Sequence, residues 1–240
     1  MRGPTRKPGR KAASREDKRA SPNRLRRESR AVKQLRAAEI VGRLKTEYPA
    51  ARCSLNHHNP YELLVATILS AQCTDERVNL VTPEVFRHYP EAEDLAGARP
   101  EELEQLIKST GFFRNKTKSL LGMSNALVDR HGGQVPAEMA ELVALPGVGR
   151  KTANVVLGNA FGKAEGIVVD THVTRLAGRL GLTAHRDAQH IEQDLTKLIV
   201  RDDWTLLAHL FIYHGRAVCK APTPRCEKCV LNDICPSSRV

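Results

Sequence analysis

The segment from Leu145 to Asp170 constrains this chain more than any other. It reads Leu-Pro-Gly-Val-Gly-Arg-Lys-Thr-Ala-Asn-Val-Val-Leu, then Gly-Asn-Ala-Phe-Gly, then Ile-Val-Val-Asp. Leu142 and Leu145 close an apolar helical stripe, and Pro146 makes further helix unfavourable because it lacks an amide proton and crowds the preceding turn. Gly147 and Gly149 are expected to supply positive φ and to leave backbone amides uncovered, and helix formers resume from Thr152. The pattern predicts two helices joined by a tight hairpin. Uncovered amides at the positive end of a helix dipole suit a phosphate. A plain glycine-capped turn between packed helices fits the same letters.

Lys151 falls in the first turn of the second helix, the end where the macrodipole favours an acid. Arg150 and the helix terminus both oppose a further positive charge there, which favours the neutral amine, the form that attacks carbon. A charged, phosphate-binding lysine is the competing reading. Asp170 follows the apolar run Ile167-Val168-Val169, expected to be a strand-like stretch, and precedes a helix marked by Val173, Leu176, Ala177 and Leu180. It is therefore placed to cap that helix. A carboxylate held there can also face a cleft and stabilise developing positive charge opposite a lysine.

The net charge of +11 is unevenly distributed. Residues 1–36 hold fourteen Lys or Arg against Glu16, Asp17 and Glu28, so the remaining 24 basic and 24 acidic groups balance. Residues 1–31, rich in Pro and Gly and poor in apolar side chains, are expected to form a disordered arm that binds polyanions without reading sequence. An organellar transit peptide is disfavoured, because the segment has no amphipathic apolar face. No run approaches the ~18 apolar residues of a membrane span, and no secretory signal is seen, so a bacterial cytoplasmic, nucleoid-associated location is expected.

From Val32 onward the periodicity is helical throughout. Ala37, Val41, Leu44 and Tyr48 mark one amphipathic helix, and Asn59-Pro60 opens a second, so apolar from Tyr61 to Leu69 that it should be buried. Pro100 starts another, ended by Gly111; Leu120 to Leu127 belong to the next, ended by Gly132-Gly133. Later helices centre on Ile191–Ile199 and Leu206–Phe211. The fold class is all-α.

Four of the six cysteines crowd the C-terminal end: Cys219, six residues, Cys226, two, Cys229, five, Cys235. Zinc sites usually show paired short spacings, and only Cys226 and Cys229 form such a pair, so the wide outer gaps lean toward a [4Fe–4S] cluster. Zinc stays open on spacing alone, and disulfides are disfavoured without secretion.

Taken in order, Ser70-Ala71-Gln72-Cys73-Thr74-Asp75, Leu145 to Ala153, Val169-Asp170-Thr171-His172 and the four-cysteine tail resemble the endonuclease III family of helix–hairpin–helix DNA glycosylases. The resemblance spans about residues 32–237. It implies two helical domains flanking a DNA-binding cleft: a six-helix domain over 53–163, and a cluster domain from 32–52 plus 164–240. It implies excision of oxidised pyrimidines from duplex DNA after base flipping, with Lys151 as the nucleophile on C1′ and Asp170 as the carboxylate that assists it. β-Elimination through a Schiff base then nicks the strand. Gln72 matches the residue that fills the gap left by the flipped nucleotide, and Phe112 falls where a side chain wedges into the stack. For Phe112, plain core packing is the alternative.

Gly147, Gly149, Arg150, His172, Lys220 and Arg225 are the further expected DNA contacts, with His172 given no firm chemical role. Cys219, Cys226, Cys229 and Cys235 would hold the cluster, in a structural role, and the chain would act as a monomer. Nineteen positions separate Lys151 from Asp170, one more than close relatives are expected to show, with the extra residue placed in the Gly162–Gly166 loop. An adenine-specific relative ordinarily lacks the lysine. A non-catalytic hairpin protein would use Lys151 for phosphate contact alone.

Overall fold

The computed structural model describes residues 28–240, so residues 1–27 of the expected arm lie outside the described residues. The arm's last four residues do not behave as expected, because Ser29 accepts the Val32 amide and starts α1 (Arg30–Glu47), while Glu28 pairs with Arg36 at 2.7 Å. A serine cap and an ion pair thus move the folded boundary ahead of Val32.

Ten helices follow. They are α2 (Pro60–Leu69), α3 (Asp75–His88), α4 (Ala92–Ala96), α5 (Pro100–Ile107), α6 (Phe113–His131), α7 (Met139–Val143), α8 (Arg150–Ala160), α9 (Thr171–Arg179), α10 (Ala188–Thr196) and α11 (Trp204–Ala217). Short 3₁₀ turns cover Lys108–Thr110, Arg201–Asp203 and Cys226–Lys228. There is no strand among the described residues. Ile167–Val169 forms neither helix nor strand; its alternation buries Ile167 and Val169 and leaves Val168 facing a cleft.

Sequence periodicity did not reveal α3, whose interior holds Pro83. The helix continues past that proline because Val78, Val81, Thr82 and Val85 are buried on one face, and their packing outweighs one missing hydrogen bond.

The apolar side chains form two cores. The first packs α2 to α8 and is centred on α2, where every residue from Leu63 to Leu69 is buried. Each such Leu or Ile contributes about 1.5–3 kcal/mol on leaving water. The second core joins α1 to α9, α10 and α11, with Leu231 reaching in from the C-terminal segment. The two meet where α8 crosses α11. A Cβ on Gly158 would lie 2.5 Å from Thr205 Oγ1, so a glycine lets these helices approach.

Candidate functional site

The hairpin between α7 and α8 is built much as its letters require. Gly147 has φ +76°, and a Cβ there would meet Ser119 Cβ at 2.5 Å, so glycine is needed twice over. Val148 is buried and pins the turn. Gly149 corrects the expectation of positive φ: it is extended (φ −95°, ψ 171°) and serves as the bare N-cap of α8. Helix begins at Arg150, directly after this extended glycine. Lys151 is thus the second helical residue, and it is exposed.

Asp170 is the N-cap of α9, its Oδ1 accepting the Val173 amide at 2.7 Å. The Gly162–Gly166 loop leading toward it is tied down. Lys163 Nζ donates to the Ala137 carbonyl at 2.9 Å and to Glu138 at 2.6 Å, and Arg201 donates to the Ala164 carbonyl at 2.9 Å.

Lys151 and Asp170 come from opposite cores and line one cleft, together with Gln72 and His172. The cleft holds about 1540 Å³ of empty space, part of it open to solvent. About 570 Å³ of it is deep enough to hold a water-sized sphere, within the roughly 300–1,000 Å³ typical of ligand pockets. Three polar contacts bridge the walls: Arg216 donates to Asp75 at 2.8 Å and to Ser54 Oγ at 3.5 Å, and His209 meets Asn159 at 2.8 Å. Burial pushes the His209 imidazole down, more than Asp170 and Asp75 raise it. Burial likewise lowers His172, whose Nδ1 accepts from Arg175 at 3.1 Å. Asp75, Asn159, His209 and Arg216 escaped sequence reasoning, since nothing local marks residues whose partners lie 50 or 141 positions away.

Gln72 and Phe112 share a property no pattern of apolar residues shows. Among the described residues they are the two non-glycine residues with positive φ, +53° and +49°. Such backbone costs of order 1–3 kcal/mol per residue and collects at functional sites. Both side chains are exposed, and Phe112 at 62% is no core residue.

The other expected contacts are more scattered. Arg150 is exposed and pairs with Glu192 of α10 at 3.3 Å. Lys220 and Arg225 flank the cysteine loop, outside the cleft lining, with Arg225 exposed and Lys220 half-buried.

Cys219, Cys226, Cys229 and Cys235 line a second, mostly apolar pocket with Leu176, Leu180 and Leu231. The trio of His, Cys, Asp or Glu ligand atoms within 4.8 Å of one another, among the described residues, is the exposed set His185, Asp187 and His190. The four sulfurs are therefore spread wider than the ~3.8 Å edge of a tetrahedral zinc–thiolate site. Burial and the neighbouring thiols push Cys229 and Cys235 up, so four thiolates here call for a strongly positive guest. Arg179 donates to Cys219 Sγ at 3.3 Å, and His214 Nε2 lies 3.4 Å from Cys229 Sγ. Tyr48 hydroxyl meets the other His214 nitrogen at 3.0 Å. A cysteine-rich, wide-set pocket of this kind is compatible with an iron–sulfur cluster.

Known proteins bear directly on this geometry. The model of the HhH-GPD superfamily of base excision DNA repair proteins matches residues 65–201. Endonuclease III of Synechocystis sp. is 56% identical over 209 residues, covering 87% of this chain and 95% of that protein. Endonuclease III of Escherichia coli is 38% identical over 200 residues, covering 82% and 93%. A solved structure of a trapped endonuclease III–DNA covalent intermediate superposes with a TM-score of 0.80 at 42% identity, over 85% of this chain and 96% of that one. The chain belongs to the endonuclease III family of the HhH-GPD superfamily of base excision DNA repair proteins.

Proposed function

We propose that this protein excises oxidised pyrimidines from duplex DNA and then cuts the strand, as a DNA glycosylase and abasic-site lyase. The observation that carries the reading is the convergence of Lys151 and Asp170, from separate cores, on one cleft wide enough for an extruded nucleoside. In the reaction, the Lys151 amine bonds to C1′ of the flipped nucleotide as the bond from C1′ to the base breaks, and the base leaves with a proton. The Asp170 carboxylate stabilises the positive charge that develops on the sugar and assists proton transfer at the amine. Opening of the sugar ring leaves an imine on Lys151. Loss of a C2′ proton then expels the 3′ phosphate, which breaks the strand, and water releases the lysine.

Gln72 and Phe112 enter the duplex from their left-handed turns, the first filling the vacated space and the second stacking on a neighbouring base. The amide-bearing end of α8, with Gly147 and Gly149, takes a backbone phosphate, while Arg150, His172, Lys220 and Arg225 supply further contacts to DNA. The four cysteines hold a [4Fe–4S] cluster, which supplies rigidity to the C-terminal segment; base removal and elimination need no electron transfer. A related protein caught as a covalent intermediate with DNA supports the imine route.

Borohydride reduction in the presence of a thymine-glycol or abasic duplex tests it. The expected result is a covalent protein–DNA adduct that Lys151→Ala abolishes, with DNA affinity kept within a few fold because the amine's bond to C1′ forms only in the reaction. No adduct with the unaltered protein would leave the non-catalytic, phosphate-binding reading in its place.

A further inference from the structure

The turns that carry Gln72 and Phe112 are joined beneath the surface by one side chain. Lys116 of α6 is only 5% exposed, and its Nζ donates to the Leu69 carbonyl at 2.8 Å and the Thr110 carbonyl at 2.7 Å. Leu69 ends α2, three residues before Gln72; Thr110 ends a 3₁₀ turn, two residues before Phe112. The Lys116 amide itself donates to the Phe112 carbonyl at 3.1 Å. All three anchor residues, Leu69, Thr110 and Lys116, are buried.

A buried ammonium is an expensive way to fill space. No carboxylate pairs with Lys116 among the described residues, and burial pushes its amine below the ordinary lysine range. Methionine would occupy the same volume without desolvating a charge. What the ammonium provides is a pair of strong donors for carbonyls at two helix ends, where carbonyls lack intrahelical partners and a positive charge suits the dipole. Each of those ends leads at once into a turn whose backbone is strained at a non-glycine residue.

We propose that Lys116 is a positioning residue that fixes the Gln72 and Phe112 turns relative to each other, so that both side chains enter the duplex as one unit. The proposal rests on the reading that these two residues enter DNA. It makes base flipping, and not the chemistry at Lys151, the step that depends on Lys116. Damaged-base removal from a duplex needs the wedge, whereas cleavage at an abasic site in single-stranded DNA has no stack to open.

The test uses the cluster-loaded protein and two substrates in single-turnover reactions: a thymine-glycol duplex and a single-stranded abasic oligonucleotide. Lys116→Met is expected to slow duplex excision about tenfold or more, from the loss of two charge-assisted hydrogen bonds, and to change single-stranded cleavage by less than about threefold. Fluorescence of 2-aminopurine beside the lesion, which reports unstacking, should rise more slowly in the variant. Lys116→Gln keeps a polar side chain and replaces Lys116→Met, with the same outcomes, should the latter not accumulate folded. In a Gln72→Ala/Phe112→Ala background, adding Lys116→Met should cause no further loss, because residues that act through one another are not additive. Equal slowing on both substrates, no slowing on either, or full additivity overturns the proposal. Where Gln72→Ala/Phe112→Ala leaves duplex excision intact, the wedge reading itself has failed and the proposal falls with it; where that variant slows and Lys116→Met does not, the positioning role alone falls.

Discussion

The two cores hold their halves of the cleft by different means. The first is continuous in sequence, Leu55 to Leu157, and its 26 buried apolar residues fix α2 so firmly that the strained Gln72 turn can be mounted on its end. The second has 19, drawn from α1 and from residues after Ile167, so its pieces lie more than 120 positions apart along the chain. Polar contacts do much of the stitching there. Arg36 donates to the Leu180 carbonyl at 2.6 Å, Arg43 pairs with Asp233 at 2.6 Å, and Lys45 pairs with Asp203 at 2.6 Å. The two ion pairs, each partly exposed, contribute roughly 0–1 kcal/mol apiece, too little to anchor a discontinuous core. The difference predicts that the Asp170 wall, packed by residues far apart along the chain, depends more on the C-terminal segment that carries the four cysteines than the Lys151 wall does.

The largest effect is therefore expected from the thiols. Cys226→Ser should remove iron and lower hydrogen-exchange protection in α9 and α11 by on the order of 10³-fold, because binding energy at such sites is folding energy. Amides of α2 should keep their protection within about tenfold, since their surroundings are apolar. Equal loss in α2 would break the comparison and show the two cores opening as one unit.

Asp170→Asn separates the two duties of that residue. Asparagine caps a helix about as well as aspartate, so stability should stay within about 0.5 kcal/mol. Base removal should fall by roughly 10²-fold, the usual scale for loss of a positioned acid–base or charge-stabilising group. Asp170→Ala should show the same kinetic defect plus about 1 kcal/mol of lost stability. Unchanged turnover in Asp170→Asn, by single-turnover excision, would reduce the residue to a cap.

Next in size, the two hairpin glycines should part company. Gly147→Ala faces both positive φ and Ser119, and is expected to cost well over about 1 kcal/mol in urea unfolding. Gly149→Ala has ordinary backbone and open space, and should cost no more than about 1 kcal/mol, as a poorer cap.

That pair of glycines also shows what the letters of the chain carry and what they do not. The hairpin was legible because Pro146 and Gly147 each have one structural use, and the caps at Asn59 and Asp170 because Asn and Asp supply an acceptor where the first helical amides need one. The glycine at 149 was misassigned since positive φ and an extended cap look alike in sequence. The helix α3 was hidden by Pro83, whereas the Ile167–Val169 run was legible as too short to make a sheet. Lys116, His209 and Arg216 were out of reach for a further reason: each matters through a partner brought near by the fold alone, and a lone basic residue in a helical pattern reads as a solvated face.

The smallest prediction concerns the seam between the cores. His209 of α11 lies in the cleft wall, and its Nε2 meets Asn159 Oδ1 of α8 at 2.8 Å, so an imidazole joins the packed half to the stitched one. Burial holds it neutral by lowering its pKa below the unfolded value of about 6.5. The unfolded chain therefore binds the proton more readily than the folded one. Stability from this residue is complete above about pH 6.5 and is lost as pH falls through the lowered folded value. His209→Gln keeps an N–H donor without a titrating group, so its urea midpoint should drop less than that of the unaltered protein between pH 7.5 and pH 5.5. Should the two midpoints fall in parallel, the acid sensitivity belongs elsewhere. Should the variant also preserve α2 and α11 protection at pH 5.5, where the unaltered protein loses α11 first, the weak point under acid is this seam and not the interior of either core.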